Sequence, residues 1–126
     1  MVAAPRRIAG LLVRTFAPGE VIFRQGEASQ REAYLVHEGK IEVRRQTGPV
    51  KRVLRRLGKG DLLGEVAFFG NAPHSGTAVA LERVTLLVVP ADRLDSIVRT
   101  KPNLALALIR QLARMASTED RQEAMR

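Results

Sequence analysis

The chain has 126 residues, 45% of them hydrophobic, a formal net charge of +8 and no cysteine. That length suits a single domain large enough to bury a core. The lack of cysteine excludes disulfides, thiol chemistry and cysteine-ligated zinc, and no apolar run approaches the ~20 residues of a membrane-spanning helix.

In chain order, residues 1–15 read as an N-terminal segment. Its apolar patch, Ile8 to Val13, is too short and too closely flanked by arginine for a signal peptide, so a cytoplasmic location is expected. Strands are predicted at Val21–Phe23, Ala33–His37, Lys40–Arg45 and Val53–Leu57, and later at Thr77–Ala80 and Val84–Val89. They are short, rich in Val, Ile and Leu, and punctuated by glycine, which suggests a sandwich or roll. Thr47-Gly48-Pro49 turns a hairpin. Leu86-Leu87-Val88-Val89 is apolar throughout, as a strand buried on both faces would be.

The charge is concentrated in that hairpin. Between Lys40 and Lys59 lie eight basic residues against one acid, Glu42, a net of +7. Two readings apply: a patch for an anionic ligand, nucleic acid or lipid headgroups, or the solvated outer face of paired strands. No aromatic residue interleaves with the cations, so the solvated face carries more weight and nothing points directly to nucleic acid or membrane.

The stretch from Leu57 to Ala78 reads as turn, short strand, tight turn, one or two turns of helix, loop and strand. Gly64 permits a close backbone approach. The unpaired N–H groups of a helix start favour an anion, yet Glu65 places a carboxylate in the same turn. A ligand with both a phosphate and a hydroxyl accounts for the two together. After Pro90 the apolar period becomes helical, first at Leu94, Ile97 and Val98. A second helix begins near Pro102, with Leu104, Leu108, Leu112 and Met115 in one stripe. Residues 117–126 form a polar tail.

The segments Gly64-Glu65-Val66-Ala67-Phe68-Phe69 and Pro73-His74-Ser75-Gly76-Thr77 resemble the phosphate-binding cassette of the cyclic-nucleotide-binding domain family, the catabolite-activator and kinase-regulatory-subunit type of β-roll. The likeness extends to Gly19-Glu20-Val21-Ile22, Gly26-Glu27, Tyr34-Leu35-Val36, Glu38-Gly39-Lys40-Ile41 and Leu57-Gly58-Lys59-Gly60-Asp61, and covers roughly Phe16 to Leu112. It implies a mainly β fold: an antiparallel β-roll of the jelly-roll type over residues 16–116, with a short cassette helix and two C-terminal helices. It also implies a site. Gly64, Val66 and Ala67 would offer backbone donors, Glu65 would hold the ribose 2′-hydroxyl, Ser75 would bind phosphate, and Thr77 would lie near phosphate or base. His74 stands where the family carries the phosphate-binding arginine, and Gly76 where it usually carries alanine.

No enzymatic constellation stands out. His37 and His74 are far apart in sequence, and no nucleophile-elbow, Walker or dinucleotide motif is present. The resulting expectation is a regulatory domain with no cofactor, binding cAMP or cGMP, cAMP the more frequent family ligand, and moving its last helix. An attached effector domain and a homodimer through the C-terminal helix are the expected partners. The alternative is a module that keeps the roll for protein contacts and binds no nucleotide.

Overall fold

The structure, a computed structural model, describes residues 5–8, 10–28, 30–64, 73–106 and 109–110. The first of two compact units, Met1–Ala91, contains all nine strands found among them. These are β1 (Arg7–Ile8), β2 (Leu11–Phe16), β3 (Val21–Phe23), β4 (Glu32–Glu38), β5 (Ile41–Thr47), β6 (Val50–Leu57), β7 (Leu62–Leu63), β8 (Thr77–Ala80) and β9 (Val84–Pro90). They build a five-stranded sheet, β1-β2-β9-β4-β7, and a four-stranded sheet, β3-β8-β5-β6. Every pairing is antiparallel. This is the expected mainly β roll of jelly-roll type.

The core forms between the inner faces of the two sheets. Val84, Leu86 and Val88 of β9 meet Tyr34 and Val36 of β4, Ile41 and Val43 of β5, and Ala78 and Ala80 of β8. Burying each such aliphatic side chain contributes about 1.5–3 kcal/mol before entropy is counted. β9 lies between β2 and β4, and its alternate residues Thr85, Leu87 and Val89 are buried as well, which explains its unbroken apolar run.

β2 is a strand the sequence reading assigned to the N-terminal segment. It pairs with β9 from Val13↔Leu87 to Phe16↔Val84. Arg14 interrupts its apolar pattern, but the structure accommodates that cation. Its guanidinium lies 3.5 Å from Glu32 and 5.9 Å from the centre of the Tyr34 ring.

The β5–β6 hairpin carries a bulge. Val43 pairs with Arg55 but Arg44 with Val53, so Leu54 has no opposite number and packs against the core. Paired residues share a face. Ile41, Val43 and Arg45 therefore lie on the inner side of β5, while Glu42, Arg44 and Gln46 lie on the outer side.

The second unit is Asp92–Arg126. A single 3₁₀ turn, Ala91–Arg93, leads into helix α1 (Leu94–Thr100). Lys101 N–H closes α1 on the Ile97 carbonyl at 2.8 Å. Residues 102–106 and 109–110 are helical, with Pro102 at the start as its missing N–H favours. Ile97 and Ala105 are buried, Leu104 is half-buried, and Val98, Leu106 and Ile109 are exposed. Leu108, Leu112, Met115 and the polar tail lie outside the described residues, as does the expected cassette helix. Among the described residues no helix is long and apolar enough to cross a membrane.

Candidate functional site

Residues 73–76 lead into β8 and rest on the turn formed by residues 24–27. The turn is closed by Glu27 N–H to the Arg24 carbonyl at 3.1 Å and by Arg24 N–H to Glu27 Oε2 at 3.2 Å. Two backbone bonds join turn and loop: Gly26 N–H to the His74 carbonyl at 2.8 Å, and His74 N–H to the Glu27 carbonyl at 3.0 Å. A third clamp is Gln25 N–H to Thr77 Oγ1 at 3.0 Å. The hydroxyl expected near phosphate or base thus holds the loop against the turn.

The Gln25 side chain adds a fourth tie. Its Nε2 donates to the Gln46 carbonyl at 2.9 Å, and its Oε1 accepts from Gln46 N–H at 2.8 Å. One side-chain amide therefore stands beside β5 where a neighbouring strand would.

His74 is only 9% exposed, and its ring lies 3.7 Å from that of Phe23 at an interplanar angle of 10°. Burial pushes the imidazole below its ordinary value of 6.5, and the nearby Glu27 carboxylate only partly opposes this. His74 is consequently a neutral, stacked packing group at pH 7. Phe23 in turn lies 6.4 Å from the Tyr34 ring. Burial, then the Glu32 carboxylate, push the Tyr34 phenol up, so it stays protonated and donates to Glu32 Oε1 at 3.3 Å.

Tyr34 connects this stack to Gly64. β7 pairs with β4 at Tyr34↔Leu63, and Gly64 ends β7 with a φ of +81°, a conformation that favours glycine. The site a Gly64 Cβ would occupy is 3.6 Å from Tyr34 Cδ2. Tyr34 thus lies beside Gly64 and is linked through the Phe23 ring to His74, one residue at each end of the cassette segment. Glu65, Val66 and Ala67, the expected ribose and phosphate groups between those ends, lie outside the described residues.

Gly76 explains its own departure from the family pattern. A Cβ there would stand 2.8 Å from the Arg44 carbonyl oxygen and 3.0 Å from Val43 Cγ1. The start of β8 lies too close to β5 for any side chain. Beside it, Arg45 Nε donates to the Ser75 carbonyl at 2.9 Å. Arg45 was read from the sequence only as part of the basic run. Its signal was available, because a period of two from Ile41 and Val43 places a cation on the core-facing side. Phe23 carried no such signal, since its partner lies 51 positions away.

The outer face of the hairpin differs. Glu42 accepts from Arg44 Nε at 2.7 Å and from Arg56 Nε at 3.1 Å. These guanidiniums, Arg44 first, hold its carboxyl below the usual range. An open groove of about 850 Å³ runs beside this network. Val21, Val53 and Val79 line it together with Arg24, Arg44, Arg45, Lys51 and Arg52, and among the described residues no carboxylate does.

Comparison with known proteins gives a consistent result. The model for the cyclic nucleotide-binding domain matches residues 13–101. The cyclic AMP receptor protein of Thermus thermophilus is 36% identical over 104 residues, covering 79% of this chain and 48% of that protein. The crystal structure of the Thermus thermophilus catabolite activator protein superposes with a TM-score of 0.78 at 32% identity, covering 91% of this chain and 54% of that one. A patatin-like phospholipase domain-containing protein of Rattus norvegicus is 33% identical over 96 residues, which cover 75% of this chain and 7% of that protein. The chain spans about half the length of the bacterial receptor it matches.

Proposed function

The chain belongs to the cyclic nucleotide-binding domain family, and from that membership we propose that it is a regulatory module that takes cAMP, in preference to cGMP, against residues 64–77. The observation that supports this reading is that Tyr34, beside Gly64, is linked through the Phe23 ring to His74, one residue at each end of the cassette segment. Between those ends the backbone N–H groups of Gly64, Val66 and Ala67, with the amide and hydroxyl of Ser75, would hold the cyclic phosphate. Glu65 would accept from the ribose 2′-hydroxyl. Thr77 positions the loop. Similarity to a cyclic AMP receptor protein favours adenine.

Binding would shift the population of the C-terminal helices and so signal to an attached effector domain. Similarity to both a receptor and a phospholipase-containing protein supports a module that regulates whatever it is joined to and does no chemistry itself. The exposed side chains Val98, Leu106 and Ile109 favour a homodimer through those helices. A second reading, a roll kept for protein contacts without nucleotide, rests on His74, which is buried and neutral at the arginine position.

Titration calorimetry with cAMP and cGMP at pH 7 decides between them. A dissociation constant on the order of micromolar for cAMP, and a weaker one for cGMP, is expected. No heat with either nucleotide would establish the protein-contact reading.

A further inference from the structure

We propose that Arg45, reaching across from β5, supplies the positive charge to the cyclic phosphate that His74 does not. The inference rests on the nucleotide-binding reading above and assigns a residue to it.

A cyclic phosphate keeps a full negative charge at neutral pH, and backbone amides alone meet it with partial charges only. His74 offers no more, since its ring is stacked on Phe23 and neutral at pH 7. An alternative with a bond to the loop is on the facing strand. Ile41 and Val43 on the inner side of β5 are buried in the core, and Arg45 is the next residue on that side. The β5–β8 register ends at Arg44↔Thr77, so one step further Arg45 comes opposite Gly76. Gly76 has no side chain and has no space for one. The guanidinium crosses that bare position and places Nε on the Ser75 carbonyl.

That single bond orients the fork. With Nε on the Ser75 carbonyl, the guanidinium is held at the residue whose amide and hydroxyl are proposed to meet the phosphate, and its two Nη groups have no partner among the described residues. Such a planar pair grips phosphate through two parallel hydrogen bonds and stays charged at every physiological pH. A second observation also calls for an anion here. Arg45 pairs directly with Arg52 across the hairpin. Like charges opposite one another on a sheet are destabilising unless something negative lies between or beside them. On the outer face Arg56 lies opposite Glu42 and Arg44 opposite Val53, and Glu42 bonds both arginines, whereas no described carboxylate bonds Arg45 or Arg52.

The test is calorimetry of the full chain with cAMP at pH 6, 7 and 8, using wild type, Arg45→Gln, Arg45→Lys and the outer-face control Arg44→Gln. Unfolding curves establish that each variant is folded. Arg45→Gln is expected to weaken cAMP binding ten- to hundredfold, and Arg45→Lys less. Arg44→Gln should change it less than threefold, and wild-type affinity should be flat from pH 6 to 8. Adenosine, which lacks the phosphate, should bind wild type and Arg45→Gln alike. A wild type that binds cAMP, with Arg45→Gln binding as tightly, overturns the assignment of Arg45 and leaves the nucleotide reading standing. So does an affinity that rises as pH falls through the histidine range, which would return the contact to His74. A wild type that takes neither cAMP nor cGMP overturns both.

Discussion

The two faces of the β5–β6 hairpin share one backbone and one run of cations, yet they handle charge in opposite ways. On the outer face Glu42 sits between Arg44 and Arg56 and bonds both, so one carboxylate is shared by two cations. On the inner face the strand passes from Ile41 and Val43, packed in the core, to Arg45 and Arg52, for which no carboxylate is at hand among the described residues. A cluster that reads as one patch in the sequence, and borders one groove in space, is thus divided by the period of the strand into a side where one carboxylate bridges two arginines and a side whose arginines bond no described carboxylate.

Packing tests this division most strongly. Ile41 is 0% exposed on the inner face, whereas Val53 is 46% exposed on the outer one. Ile41→Ala is expected to cost about 2–5 kcal/mol in urea unfolding, and Val53→Ala to stay within about 0.5 kcal/mol. Equal losses would show that the faces are not distinct.

A smaller effect comes from His74. Its folded pKa is depressed by burial, so the unfolded chain binds the proton better. Stability is therefore complete above the unfolded value of about 6.5 and declines as pH falls from there toward the lower folded value. Melting temperatures at pH 7.5 and 5.5 should show this decline in wild type, and His74→Phe, which keeps the stack on Phe23, should reduce it. An identical decline in both would place the titrating group elsewhere.

The smallest effect belongs to Glu42, a buried carboxylate whose arginine partners are exposed. Its folded pKa is lowered by Arg44 and Arg56. The stability it contributes is present above its unfolded value and is lost as pH falls through the folded one. Glu42→Gln should be slightly less stable at pH 7, and the gap to wild type should close below about pH 4. A gap that persists in acid would mean that Glu42 acts through packing and not through charge.

Much of the roll was legible in the residues because its strands are short and separated by glycine, and because β9 is apolar on both sides. β2 was not, since Arg14 breaks its pattern and its compensation by Glu32 and Tyr34 comes from a strand further along the chain. The site was legible as a motif but not as chemistry. Which residue at its edge carries the charge depends on the pairing of β5 with β8, and whether His74 is ionised depends on Phe23; neither contact is local in sequence. Gly76 is the instructive case. As a letter it looked like a weakened motif, whereas in space it is the only residue that lets β8 approach β5 so closely.

The amide of Gln25 has a consequence for how the protein behaves among its neighbours. β8 runs beside β5 only as far as Arg44, while β5 continues to Thr47. Beyond that point the backbone of Gln46 would present an open N–H and C=O, an invitation for a strand from another molecule to dock. The Gln25 side chain fills both positions at once. The hairpin can then project past its own sheet, with its cations spread along it, without offering this edge as a seed for aggregation.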